Sequence, residues 1–127
     1  MSKGVFFLLA LPSVIRAVWR VRRLESGCSL PVLVDRLRKV KPWRFAFLDH
    51  PAYLEGSVGR LAALLPLHGL GPCMKRSLVL LDLWSRCGVH PRFHLGAATA
   101  GDDLRLHAWV TSPQRSVASD YVEIWSR

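Results

Sequence analysis

Acidic side chains are scarce in this sequence, cysteines are few and irregularly spaced, and no apolar run is long. Nine Asp and Glu stand against eighteen Lys and Arg, giving a formal net charge of +9 over 127 residues. Cys28, Cys73 and Cys87 are an odd set without regular spacing. That excludes the disulfide framework of a small secreted domain and points to a reducing, cytoplasmic compartment. The apolar run from Val5 to Leu11 follows Lys3 as in a signal peptide, but Arg16, Arg20, Arg22 and Arg23 break what comes next. No Ala-x-Ala-like cleavage site follows. Crossing a bilayer takes roughly 20 consecutive apolar residues, so neither a signal sequence nor a membrane span is expected. A first helix packed in the core is the favoured reading over one lying on a membrane surface. No repeat occurs at a period of roughly 20 to 50 residues, and no low-complexity tract is present. Half of the residues are apolar, enough for a modest core, so a disordered chain is excluded.

The positive charge is uneven. Residues 1–50 carry ten Lys and Arg against three acids, and residues 51–127 carry eight against six. A basic first half suits an anionic partner. Its cations alternate with apolar residues at helical spacing, however, as a solvated helix face requires. No zinc-finger, RNP or glycine-loop signature supports nucleic acid, and none is expected as a partner.

The length suits one domain, residues 1–127, with a helical part over 1–68 and a second part over 69–127. The spacing predicts a helix over 5–23, with Arg16, Arg20 and Arg23 on one side and Gly27 ending the unit. Ser29 suits the N-cap of a second helix whose face is Leu30, Leu33, Val34, Leu37 and Val40, broken at Lys41-Pro42-Trp43. Residues 43–53 are aromatic and irregular, with one short helix at most, and a further helical piece over 59–65 stops at Pro66. After the breakers His68-Gly69-Leu70-Gly71-Pro72, residues 73–87 read as a helix closed by Gly88 and Pro91. A strand over 92–98, a turn at 100–103 and a strand over 104–111 follow. In the second strand Leu104, Leu106, Ala108 and Val110 share one face; Arg105, His107 and Trp109 share the other. A turn at 112–114 leads to a short third strand near 116–118 and a tail ending in Trp125. Helices followed by an antiparallel sheet make an α+β pattern.

Cys73 stands at the first turn of a predicted helix, where unpaired N–H groups and the positive dipole end favour thiolate over thiol. Lys75 and Arg76 add positive charge. A thiolate needs a base that later protonates a leaving amine, and His107 on a following strand suits that role. Asp120, in the next element, is the best-placed acid to hold the imidazole, with Glu123 as its competitor. Cys, His and Asp in that order are a papain-like arrangement. Cys28, in a Gly-Cys-Ser turn, and Cys87, at a helix end, read as structural. Cys87-x2-His90-x3-His94, with His107 as a fourth ligand, has zinc-like spacing, but Pro91 separates the first two histidines and one cysteine alone contributes. No metal is expected.

Cys73-Met74-Lys75-Arg76-Ser77-Leu78, then Leu80-Leu81, Gly88-Val89, Leu95-Gly96 and His107-Ala108-Trp109-Val110 together resemble the lasso-peptide leader peptidase family. The family motif is a Cys-x-x-Arg-Ser/Ala-Leu helix, a Gly-Val/Ile turn and a His-Ala-Trp-Val-Glu strand. The resemblance covers residues 70–125; Thr111 stands where the family has Glu, and the region around Asp120 matches loosely. It implies a transglutaminase-like, papain-like core preceded by a helical N-terminal part. It also implies a stand-alone cysteine peptidase that removes the leader of a ribosomally made precursor before a cyclase forms the macrolactam. By that resemblance Cys73 is the nucleophile, His107 the base and Asp120 the third member, with no cofactor. The implied partners are the precursor, a separate leader-recognition protein, for which 127 residues leave no room, and the cyclase. A transglutaminase-like acyl transferase and a non-catalytic basic adaptor are the alternatives.

Overall fold

The computed structural model describes residues 2–64, 73–112 and 122–127. Its elements run α1 (Lys3–Glu25), α2 (Leu30–Arg38), α3 (Pro51–Leu64), α4 (Cys73–Arg86), β1 (Arg92–Ala100), β2 (Asp103–Thr111) and β3 (Val122–Ser126), with one 3-10 turn at Ala46–Leu48.

On α1, Phe6, Ala10, Val14, Ala17 and Val21 are buried. Their steps of three and four residues define a single face, as the helical period dictates. Ser2 caps the start by accepting a hydrogen bond from the Val5 N–H at 3.2 Å. On α2, Leu33, Val34 and Leu37 turn inward. That helix stops at Arg38, earlier than its apolar pattern suggests, because Pro42 has no N–H to bond the Arg38 carbonyl four residues back and its ring would clash with it. Pro51 opens α3, and Leu54, Val58, Leu61 and Ala62 are buried along it. Its first half was not expected to be helical. The inward pattern was present, but Gly56 and Gly59 obscured it.

Helix α4 is the hub, packing on α1, α2, α3, β1 and β2. Leu78, Val79, Leu81, Leu83 and Trp84 are buried along it, and the Trp84 Nε1–H donates to the Pro51 carbonyl at 2.9 Å. Truncating such a buried Trp costs about 3–5 kcal/mol. Asp82 is fully buried between Arg20 of α1 at 2.8 Å and Arg86 at 2.9 Å. Arg20 therefore does not belong to a purely solvated face; it compensates a carboxylate in the core. Gly88, at φ +73, closes α4 in the left-handed conformation that glycine adopts without strain.

The sheet is antiparallel with order β2-β1-β3. The segment expected to be a tail is β3. It lies beside β1, on the side away from β2, and Trp125 packs edge-on against Phe93 with ring centroids 5.9 Å apart. The third strand expected near 116–118 lies outside the described residues. The expected inward face of β2 is half realised. Ala108 and Val110 are buried, whereas Leu104 and Leu106 are 67% and 58% exposed, because the hairpin tip projects past the helices that cover its base.

Candidate active site

Cys73 is the first residue of α4, so its thiol sits where backbone N–H groups lack helical partners. Cys73, Arg76, Ser77 and Leu80 occupy one face, at i, i+3, i+4 and i+7. That face borders a cavity of about 360 Å³, completed by Glu55, Val58 and Gly59 from α3 and by His107, Ala108, Trp109 and Val110 from β2. Both expected members of the thiol–imidazole pair that lie among the described residues thus line one cavity.

Two contacts hold β2 against this end of α4. The buried Ser77 Oγ–H donates to the Ala108 carbonyl at 3.0 Å, tying the residue one turn after Cys73 to the residue next to His107. The indole of Trp109 stacks on His107, with centroids 5.8 Å apart and planes 18° apart. On its own strand pair Trp109 also stacks against His94 at 5.3 Å and 8°. The His94 ring in turn contacts Glu123 through Nδ1 and Thr111 Oγ1 through Nε2, the latter at 2.6 Å. Trp109 beside His107 on one strand face is expected from the alternation as a shield for the site, whereas the Ser77 bond and the His94 layer have no signal in the residue pattern. Ser77 and Trp109 stood inside the recognisable motif, and Thr111 was notable for replacing Glu, but the role of each needs the strand register.

That register also bears on the carboxylates. Gly96 of β1 pairs with His107 on one side and with Glu123 on the other. The two side chains thus share a row and a face of the sheet, separated by a residue without a side chain. The Glu123 carboxylate is engaged with His94. Asp103 pairs with Ala100 at the hairpin tip, about 13 Å along the strand from His107 at the usual rise per residue. Asp120 lies outside the described residues.

The other thiols differ from Cys73. Cys28 packs against the core. Cys87 is half-buried and accepts a hydrogen bond from the Trp43 Nε1–H at 3.3 Å, and burial pushes its thiol up to about 11. The zinc-like set is not gathered. Cys87 faces Trp43, His94 is held by Glu123 and Thr111, and His90 is exposed with a φ of +52. Among the described residues no group of three His, Cys, Asp or Glu could hold a metal ion. A larger recess, about 600 Å³, lies near the other end of α4 among Arg38, His90, Arg92 and Arg127. It contains no thiol, so chemistry and not size selects the smaller cavity.

A family model described as the transglutaminase-like superfamily matches residues 13–125. No curated protein and no solved structure gives a significant match.

Proposed function

Because the chain belongs to the transglutaminase-like superfamily, which commonly includes cysteine peptidases and acyltransferases, we propose that it is a cysteine peptidase removing the leader from a lasso-peptide precursor. The observation that carries the reading is the shared cavity, with Cys73 at a helix start and His107 on the strand bonded to that helix through Ser77. The narrower substrate rests on the resemblance of 73–78 and 107–110 to the leader peptidases.

In this mechanism the Cys73 thiolate attacks the carbonyl carbon of the leader–core peptide bond, forming a thioester to the leader. His107 gives its proton to the departing core amine, which completes scission. It then takes a proton from water as the oxygen attacks the thioester, releasing the leader acid and restoring the Cys73 thiolate beside protonated His107. The Cys73 backbone N–H stabilises the oxyanion in both steps. Trp109 covers one face of the imidazole and limits its rotation. Asp120 acts as the group that holds the His107 tautomer. A separate leader-recognition protein presents the precursor, in the cytoplasm and ahead of the cyclase.

Incubating the precursor with this chain and its recognition protein, followed by mass spectrometry, tests the reading. The expected products are leader and core whose summed mass exceeds the precursor by one water. A leader bearing an added amine would identify the acyl transferase instead, since the same thioester would then have reacted with amine. An untouched precursor would refute both.

A further inference from the structure

Helix α1 buries one face and leaves the opposite one bare. Leu8, Pro12, Ile15 and Trp19 recur at i, i+4, i+7 and i+11, directly opposite the buried row from Phe6 to Val21. Leu8 is 67% exposed and Trp19 64%, with Val5, Leu9 and Ile15 also exposed. The apolar strip runs from Val5 to Trp19, about 21 Å at the helical rise. A helix face of this kind is convex, whereas tight protein contacts usually seat an anchoring side chain in a pocket.

The flank of the strip is cationic. A pocket of about 360 Å³ is lined by Arg16, Trp19, Arg20, Arg23 and Arg86. Asp82 engages Arg20 and Arg86, while the side chains of Arg16 and Arg23 make no hydrogen bond or ion pair among the described residues. The Arg22 guanidinium lies 5.6 Å from the Trp19 ring centroid. Residues 1–24 contain five Lys and Arg and no acid. Packing in the core and lying on a surface are not alternatives for this helix, because different faces serve them.

We propose that the outward face of α1 docks on an anionic lipid surface, with Leu8, Ile15 and Trp19 entering the headgroup–acyl boundary and Arg16 and Arg23 receiving a lipid phosphate. A bilayer presents an apolar layer beneath a layer of phosphates, in the same order as the strip and its cationic flank. Acyl chains require no shape complementarity, which suits a convex strip. Guanidinium groups pair bidentately with phosphate oxygens. By length and composition α1 is apolar enough to cross a bilayer, but its inner face packs in the core, so the contact would hold the chain at a membrane by the outer face alone, independently of the chemistry at Cys73.

The test sediments the full chain with vesicles of equal parts phosphatidylglycerol and phosphatidylcholine, and with phosphatidylcholine alone. Binding is expected to the anionic vesicles and to weaken as salt rises. Replacing Leu8→Ser with Trp19→Ser, or Arg16→Gln with Arg23→Gln, should weaken binding about tenfold or more. Circular dichroism and thermal unfolding should stay unchanged, since all four side chains point away from the core. Sedimentation with neither vesicle, or binding that ignores both pairs of substitutions, would overturn the proposal. So would a self-associated chain that ignores vesicles and becomes monomeric on Leu8→Ser, because a second copy would then cover the strip.

Discussion

Helix α4 carries a cysteine at its first residue and another just past its last. At the first, Cys73 lines a cavity shared with His107 at the end of the helix where the dipole is positive. At the other, Cys87 is half-buried with the Leu83 and Leu48 carbonyls near its sulfur and the Trp43 indole N–H bonded to it. Carbonyl oxygens and the negative dipole end oppose a thiolate, and burial raises the Cys87 thiol to about 11. One side chain thus meets two chemistries on one helix. The contrast supports the proposal that the first end reacts and the second stabilises.

The largest effect expected is on cleavage. Cys73→Ala should lower turnover at least about a thousandfold with unchanged thermal unfolding, while Cys87→Ala keeps most activity. Equal activity of the Cys73 variant and the parent would erase the contrast. Next, His107→Ala should cost about a hundredfold or more at every pH, measured against a parent profile with two limbs. Among carboxylates, Asp120→Asn should slow cleavage strongly and Glu123→Gln mildly, because Glu123 is engaged with His94. A crippled Glu123 variant beside a near-silent Asp120 variant would transfer the third role.

At the second end the expected losses are of stability. Asp82→Ala strips the buried acceptor from Arg20 and Arg86, and removing one partner from a buried ion pair costs about 3–5 kcal/mol. Denaturant titration would measure it, and a silent variant would show that the two arginines relax freely into solvent. The smallest effect is alkaline. A folded-state pKa above the unfolded 9.0 means the unfolded chain sheds this proton first. Stability is therefore full below about 9 and falls as pH rises from there through about 11. Cys87→Ala should flatten that decline, and an unchanged decline would place its origin elsewhere.

Much of this was legible in the residues. The α4 helix and the β1–β2 hairpin stood out because Gly88 and Gly101 punctuate clear periods of 3.6 and 2. The first half of α3 did not, since Gly56 and Gly59 lower the helix propensity of a segment whose inward row is nonetheless complete. The segment of β3 reads as a tail because the five residues Val122–Ser126 are too short a run to announce a strand. It becomes one by bonding to β1, a partner with no local signature.

Residue pattern alone establishes an α+β chain, with Cys73 at a helix start, His107 on a strand and a basic helical first half. Periodicity, breakers and residue chemistry are local properties, and they survive reading one residue at a time. Tertiary packing brings Cys73 and His107 to one cavity, ties their elements through Ser77 and Ala108, and stacks Trp109 between two histidines. It alone drew Arg20 to Asp82 across 62 residues and turned Leu8 and Trp19 outward. Those outcomes depend on strand order and on which helix faces compete for the core. Each is settled by long-range packing, whose energy no stretch of neighbouring residues contains.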